Sequence, residues 1–548
     1  MATSRSDPGG DPSLRKDGVP SPGFAGRPSL PFQRVLVANR GEIAVRIIRA
    51  CRELGLESVA VYSDADAKAL HVRLAESAVR LGPAPPTESY LRIDRILEAA
   101  AATGADAVHP GYGFLAERAE FARRVRDAGL VFVGPAAEAI EALGDKLHAR
   151  RLARATGVPV VPGTLDPAAI DRPDQLDAVV RDAESVGLPL LVKAAAGGGG
   201  RGMRRVERIN DLPTALLEGS REAAAAFGDG RVYLEREIRP ARHIEVQLLG
   251  DVQGTVVALG ERDCSIQRRH QKLVEEAPAP GLTTDERATL HGMAVAVASA
   301  AGLSNAATAE FLREPDGQFH FLEVNTRLQV EHGVTELVSG VDMVREQFDL
   351  AAGLPLSDAV RGAAARAATP AGHAIEVRIS AEDPGRDFAP TPGPIRRWVM
   401  PSGPGVRVDT AIEAGDRVPP EYDNLIAKVM VHAGDRATAI DRLARALSET
   451  EIAGIQTTLP FHRFVAREPS FADAALSTAW VADHWDGHGE AERAQRLARL
   501  AAAIGLRELQ AASGVLAQRH RGAAPPFGDR GTWSTAALEA AVDRWPGA

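Results

Sequence analysis

The 548-residue chain reads as α/β, with α+β character in parts, on three observations. Short apolar strands alternate with an amphipathic helical stretch near the amino end. An Asp-Gly turn joins two apolar runs in AATAEFLREPDGQFHFLEVN. Alternating strands then follow in HAIEVRIS, RVDTAI and LIAKVMVH.

In chain order, residues 1–32 are rich in Pro, Gly and Ser and read as a disordered leader. Asp7, Asp11 and Asp17 argue against a transit peptide, and a signal-type apolar region is missing. The strand RVLVA, the turn NRG and a helix from Glu42 open an α/β layer over 33–145. The helix carries Ile43, Ile47, Ile48, Cys51 and Leu54 as its apolar stripe, and SVAVYS, DAVHPG and LVFVGP supply further strands. A second region, 146–365, holds the run LPLLV, a glycine-rich loop in a small α/β subdomain and the Asp-Gly hairpin. At its end AAGLPLSDAVRGAAARAATPAG reads as a connector to the strands that follow. A carboxy-terminal domain, 366–486, holds Arg378 and places Lys428 on its last strand, where structural pairing is the expected role. The extension 487–548 has helical periodicity in AERAQRLARLAAAIGLRELQAAS and then turns Pro- and Gly-rich.

Composition narrows the function. Apolar residues make up 45% of the chain and its net charge is −9, so the basic run RRHQK is a local anion site and not part of a nucleic-acid face. No apolar run approaches the ~18 residues of a membrane span. Two cysteines, Cys51 and Cys264, cannot build a disulfide framework and point to a reducing, cytoplasmic compartment. An inert packed thiol is the expected role of Cys264.

The hairpin carries the chemistry. With an even loop centred on Asp316-Gly317, Glu310 faces Glu323 and Thr308 faces Asn325. Opposed like charges destabilise a sheet, so the pair needs a positive charge between its members. A divalent cation such as Mg²⁺ fits, because it takes carboxylate oxygens and completes its shell with water and substrate phosphates; a solvated hairpin with two surface acids is the alternative. Asn325, Arg327, Gln329 and Glu331 then place a polar group at every second position, which favours a site. Lysine usage adds an independent clue. Of 64 basic residues six are Lys, and Lys146, Lys193 and Lys272 lie beside LGD, AAAGGGGRGM and RRHQK. Either a compact ammonium is needed at these places or coding bias left random survivors. Gly197 to Gly202 is a mobile lid whose backbone N–H groups approach phosphate, or a floppy linker. It matches neither GxxxxGK[ST] nor GxGxxG.

From Gln33 to Trp485 the chain resembles the biotin carboxylases of the ATP-grasp superfamily. The runs that carry the resemblance are VLVANRGEIAVRIIRAC, HPGYGFLAE, LGDKLHA, GGGGRGM, EREIRPARHIEVQ, ERDCSIQRRHQKLVEEAPAP, FLEVNTRLQVEH and IEVRISAEDP, in family order. The resemblance implies an ATP-grasp fold with a Rossmann-like amino-terminal domain. It places ATP at Lys146, Lys193, Gly198, Gly199, Gly200, Glu235, Ile238, His243, Gln267 and His270, and Mg²⁺ or Mn²⁺ at Glu310, Glu323 and Asn325. It places bicarbonate at Lys272, Arg327, Gln329 and Val330. Glu331 is the implied base and Arg378 the residue that steadies the biotin enolate, with Lys272 and Arg327 in the catalytic set. The implied reaction runs through carboxyphosphate to carboxybiotin, with biotin carried on a partner protein because no Met-Lys-Met acceptor is present. The resemblance also implies a homodimer and a carboxyltransferase subunit, while the final acceptor (acetyl-CoA, propionyl-CoA, pyruvate or urea) is left open. Gly333 departs from the proline usual after this histidine and is expected to loosen the backbone beside the base. His332 is expected to be a packed or orienting residue. The rivals are another ATP-grasp ligase and a silent scaffold.

Overall fold

Strand–helix alternation at the amino end folds into an open parallel sheet in the computed structural model, which describes residues 30–505 except 165, 169, 171–172, 196–202, 490–491 and 493–494. Its strands run in the order Ser77–Gly82, Glu57–Ser63, Arg34–Val37, Ala107–His109, Val131–Phe132, all parallel. Ile43, Ile47, Ile48 and Cys51 are buried on helix Gly41–Glu53, as the stripe predicts, while Leu54 falls just past its end. Phe32 is buried against Phe348, so the end of the stretch read as leader packs on the core. Most of that leader lies outside the described residues.

A larger antiparallel sheet positions the site. Its order is Phe319–Asn325, Asn305–Arg313, Arg242–Gly250, Val256–Arg268, Gln271–Ala277, His373–Ser380, Leu425–Ala433, Val406–Thr410. The strand bearing Lys272 pairs with the strand bearing Arg378, in the register Val274 to Val377 and Glu275 to Glu376. One sheet therefore carries the hairpin acids, Lys272 and Arg378.

A three-stranded antiparallel sheet, Arg204–Val206, Leu190–Ala194, Val232–Arg236, forms the small subdomain, with helices Pro173–Val186 and Leu212–Phe227 packed on it. The glycine run, with Gly198, Gly199 and Gly200, lies outside the described residues. The stretch read as a connector contains a helix, Asp358–Arg366. Ser357 caps it by accepting from the Val360 amide, and Val360 and Ala363 bury against the core. The described part of the extension is helical and exposes Leu497, Leu500 and Ile504. Among the described residues no helix is long and apolar enough to cross a membrane.

Candidate active site

Glu310 and Glu323 are direct cross-strand partners, as are Thr308 and Asn325. The loop, however, is odd. Five residues, 314–318, separate the strands, closed by the Glu314 amide bonding to the Gln318 carbonyl at 2.8 Å. Nearer the turn Phe311 faces Phe321, and the register shifts between Glu310 and Phe311. That bulge leaves Leu322 as the extra residue and restores the pairing expected of an even loop.

The positive charge that opposed carboxylates demand comes from the protein itself. Lys146 Nζ lies 2.6 Å from Glu323 Oε2, on a helix that Asp145 caps through the His148 amide at 2.8 Å. Glu310 meets His243 Nε2 at 3.0 Å and Lys272 Nζ at 3.1 Å. Burial lowers the His243 pKa, but Glu310 outweighs it and holds the imidazole above its ordinary value. Asn325 Nδ2 donates to Glu310 Oε1 at 2.9 Å, and its Oδ1 accepts from Arg327 at 3.3 Å. Arg327 also donates to Gln329 Oε1 at 2.6 Å, and Gln329 Nε2 to Glu310 Oε1 at 3.3 Å. The alternate polar positions after the hairpin thus share one face.

Glu331 sits at the centre, fully buried. Lys272 Nζ lies 2.6 Å from its Oε1, and Arg378 Nη2 lies 2.9 Å from its Oε2. Burial pushes the carboxyl up, yet Lys272, Arg378 and Arg262 together hold it well below the usual carboxylate range. Lys272 bonds Glu245 as well, at 2.5 Å. Burial lowers its pKa, but the three glutamates raise it well above the ordinary lysine value.

Around Glu235, Lys193 and Arg150 both bond its carboxylate. Burial raises the Glu235 pKa, but the two cations, with Lys146, keep it low. Ile238 forms an apolar wall with Val161 and Ala241. Gln267 Nε2 lies 3.3 Å from His243 Nδ1. His270 stands at a hairpin tip with φ +66°, and desolvation with the charges of Lys193, His243 and Lys146 lowers its pKa. Cys264 is fully buried, and burial with Glu245 pushes its thiol well up, so it is an inert packed thiol as expected. Buried His332 donates from Nδ1 to the Gln329 carbonyl, 2.7 Å away, a packed and orienting position.

Sequence reasoning missed four buried charges. Arg262 donates to Glu245 Oε1 at 2.5 Å, to Gln247 Oε1 at 2.8 Å and to Thr335 Oγ1 at 2.8 Å. Glu275 takes Arg378 Nε at 2.5 Å, and Arg150 reaches both Glu235 and the Val161 carbonyl, the latter at 2.7 Å. The signal for Glu245 was its place two residues after His243, on the same strand face. For Arg262, Arg150 and Glu275 the local pattern offers none.

Three family models match. Residues 31–140 match the biotin carboxylase N-terminal domain, 376–483 the biotin carboxylase C-terminal domain, and 145–359 the ATP-binding domain of the carbamoyl-phosphate synthase L chain. A pyruvate carboxylase subunit of Methanothermobacter thermautotrophicus is 48% identical over 83% of this chain and 91% of its own length. The chain belongs to the biotin carboxylase family. The biotin carboxylase of Nostoc is 47% identical over 82% of this chain and 98% of its own length. The structure also superposes on a Campylobacter jejuni biotin carboxylase–βγ-ATP complex with a TM-score of 0.79, at 42% identity over 83% of this chain and 99% of that one. A Hydrogenobacter thermophilus 2-oxoglutarate carboxylase biotin carboxylase domain dimer, with MgADP, ADP and bicarbonate, follows at 0.78, 42% identity and 83% and 98% coverage. As a biotin carboxylase the chain is an ATP-grasp ligase that carboxylates biotin with bicarbonate and ATP. Its donor set suits the metal of that reaction: Glu310, Glu323 and Asn325 bring hard oxygen atoms together on one hairpin.

Proposed function

We propose that Glu331 removes the proton of bicarbonate held by Lys272, Arg327, Gln329 and Val330. The resulting nucleophile attacks the γ-phosphate of ATP to give carboxyphosphate. Lys146, Lys193, Glu235, Ile238, His243, Gln267 and His270, with Gly198, Gly199 and Gly200, hold the nucleotide. Mg²⁺ or Mn²⁺ on Glu310, Glu323 and Asn325 neutralises charge on the phosphates when bound. Carboxyphosphate then releases CO₂ in the closed site, the phosphate left behind takes the proton from the biotin ureido nitrogen, and Arg378 faces the charge developing on the ureido oxygen.

The observation that carries this reading is Glu331, fully buried with Lys272 on one oxygen and Arg378 on the other. A base must be ionised before it can accept, and these two cations keep it so. An incoming anion that shares Lys272 withdraws part of that stabilisation and raises the carboxyl pKa when a proton has to be taken. The test is ADP release with Mg-ATP and bicarbonate, with and without biotin, beside Glu331→Gln. Bicarbonate-dependent, biotin-stimulated turnover that the substitution abolishes is the expected result. A wild-type protein that turns over without bicarbonate refutes it.

The biotin is proposed to arrive on a biotinyl-carrier protein or domain of another chain, for transfer by a carboxyltransferase subunit. Support comes from a Mycobacterium leprae relative, 46% identical over 84% of this chain and 76% of its own length, which is an alpha3 subunit of a biotin-dependent acyl-coenzyme A carboxylase. A homodimer is proposed from the likeness to a dimeric domain. Two buried, unpaired thiols support a cytoplasmic setting.

A further inference from the structure

Two amino-terminal motifs, NRGE and HPGYG, have no part in the chemistry above, yet their side chains end beside it. Asn39 Nδ2 donates to the carbonyls of Pro110 and Tyr112, each at 2.7 Å, which locks one motif onto the other. The Tyr112 hydroxyl donates to Glu42 Oε1. That same oxygen lies 3.2 Å from Lys428 Nζ, an ammonium with no exposed surface. Lys428 donates to the Val330 carbonyl at 2.8 Å and has Asp409 Oδ2 at 3.7 Å. The ammonium thus sits among oxygens from three parts of the chain: Glu42 of the amino-terminal layer and the Val330 carbonyl after the hairpin at close range, and Asp409 of the carboxy-terminal strands at a longer ion-pair distance.

The chemistry of this junction is specific to lysine. A compact ammonium can direct its protons at three converging oxygens, whereas a planar guanidinium presents a fork. Lys428 is one of six lysines among 64 basic residues and is fully buried. Its bond to Val330 falls on the peptide that joins Val330 to Glu331, and the orientation of that peptide sets where the Glu331 backbone starts.

We propose that Lys428 is a positioning residue: with Glu42 and Tyr112 it fixes the Val330–Glu331 peptide, so that the amino-terminal layer sets the geometry of the bicarbonate pocket. This rests on assigning Gln329 to Glu331 to bicarbonate. The nucleotide lysines Lys146 and Lys193 make their ion pairs elsewhere, with Glu323 and Glu235. Loss of the junction therefore acts on bicarbonate and not on ATP.

The test uses the full chain and steady-state ADP release, with bicarbonate and ATP varied separately. Lys428→Met combined with Glu42→Gln removes both members of the pair; Asp409 retains Arg407 at 2.7 and 3.0 Å, and buried Glu376, which also faces Lys428, loses that favourable charge. Tyr112→Phe removes a single hydroxyl and Lys428→Arg retains the charge without the three-way geometry. The KM for bicarbonate is expected to rise about tenfold in the double variant, the loss of one charge-assisted hydrogen bond, with the ATP KM within about twofold of wild type. A smaller rise is expected in Tyr112→Phe, and Lys428→Arg should not restore the wild-type value. An unchanged bicarbonate KM, or bicarbonate and ATP KM values rising together, overturns the proposal. Where the double variant does not fold, the two single variants decide by the same criterion. A wild-type protein without bicarbonate-dependent ADP release would overturn the function assignment itself, and this inference with it.

Discussion

Substituting Gly333 by alanine places a methyl group 2.3 Å from the Met430 sulfur, 3.4 Å from its terminal methyl and 3.5 Å from Glu376 Oε2. Both neighbours are fully buried, so the thioether has little room to retreat. Gly333 lies in the first turn of helix His332–Ser339, where its backbone is ordinary, and alanine gains about 0.5–1 kcal/mol there as the better helix former. Overpacking a filled core costs about 1–3 kcal/mol, and the clash wins. Met430→Ala alone leaves a cavity worth about 2–5 kcal/mol. In the double variant the new methyl occupies part of that cavity, so the two losses must sum to less than their separate values, by roughly 1–2 kcal/mol. Unfolding midpoints of the four proteins measure this coupling. Strictly additive losses, or a Gly333→Ala protein as stable as wild type, would refute the packing argument. The outcome also bears on the family departure at this position. Met430 fills the space beside Gly333, so the missing proline ring is compensated by packing rather than left as slack next to Glu331.

Other perturbations test the charge network. Glu275 and Glu376 face each other across strands; burial, aided at Glu275 by Glu331, pushes Glu275 up to about 7 from 4.5, and burial raises Glu376 well above its ordinary value. The folded chain thus holds protons that the unfolded chain releases between pH 4.5 and about 7, so this pair's contribution to stability falls as pH rises through that window. Glu376→Gln should flatten the fall, read as melting temperature against pH from 5 to 8. An equally steep profile would sink that reading. Arg378→Lys keeps a charge but loses the shared contact to Glu275 and Glu331, and should cut biotin-stimulated turnover at least about tenfold while biotin-independent ATP hydrolysis persists. Equal loss of both would place Arg378 in phosphoryl transfer instead. Lys272→Met takes a shared cation from three buried carboxylates, leaving Glu331 with Arg378, Glu245 with Arg262 and Glu310 with His243, and should cost about 3–5 kcal/mol in unfolding measurements. Lys146→Met frees Glu323 from its partly exposed ion pair, so nucleotide-free protein should bind Mn²⁺ a few-fold tighter while ATP binds more weakly; unchanged Mn²⁺ affinity would show that Lys146 does not hold the acid.

The parallel sheet was legible because each strand and its helix announce themselves within a short window, as Ile43, Ile47 and Ile48 do on one helix face. The antiparallel sheet was not legible in its order. Gln271–Ala277 pairs with His373–Ser380 across a long intervening stretch of chain, and no local pattern encodes that choice. Helix Asp358–Arg366 was hidden by Gly353, Gly362 and Pro370, although Ser357 ahead of Asp358 was an available cap signal. The hairpin pairing was right through two compensating features. The loop holds five residues, an odd number where an even one was expected, and the extra residue Leu322 at the bulge offsets this before Glu310 is reached.

The buried partners of the site were hidden for a different reason. A charged residue in an alternating strand reads as solvent-facing, and Arg262, Glu245 and Glu275 have no exposed side chain. Their presence changes how the site works. Within the protein itself Lys146 is already neutralised by Glu323, Lys193 by Glu235, and Lys272 and Arg378 by Glu331. A phosphate or bicarbonate oxygen that takes one of these cations releases a carboxylate, and that carboxylate must find a new positive partner or a proton. On the proposed reading the new partner of Glu323 and Glu310 is the divalent cation that travels with ATP, which would couple metal binding to nucleotide binding. Glu331 Oε1 has Lys272 as its bonded cation, and Arg378 is engaged on the other oxygen. On the proposed reading, once Lys272 turns to the substrate, the answer left for Oε1 is a proton, taken from bicarbonate. The exchange of partners that keeps these buried charges paired is then the same exchange that would turn Glu331 into a base.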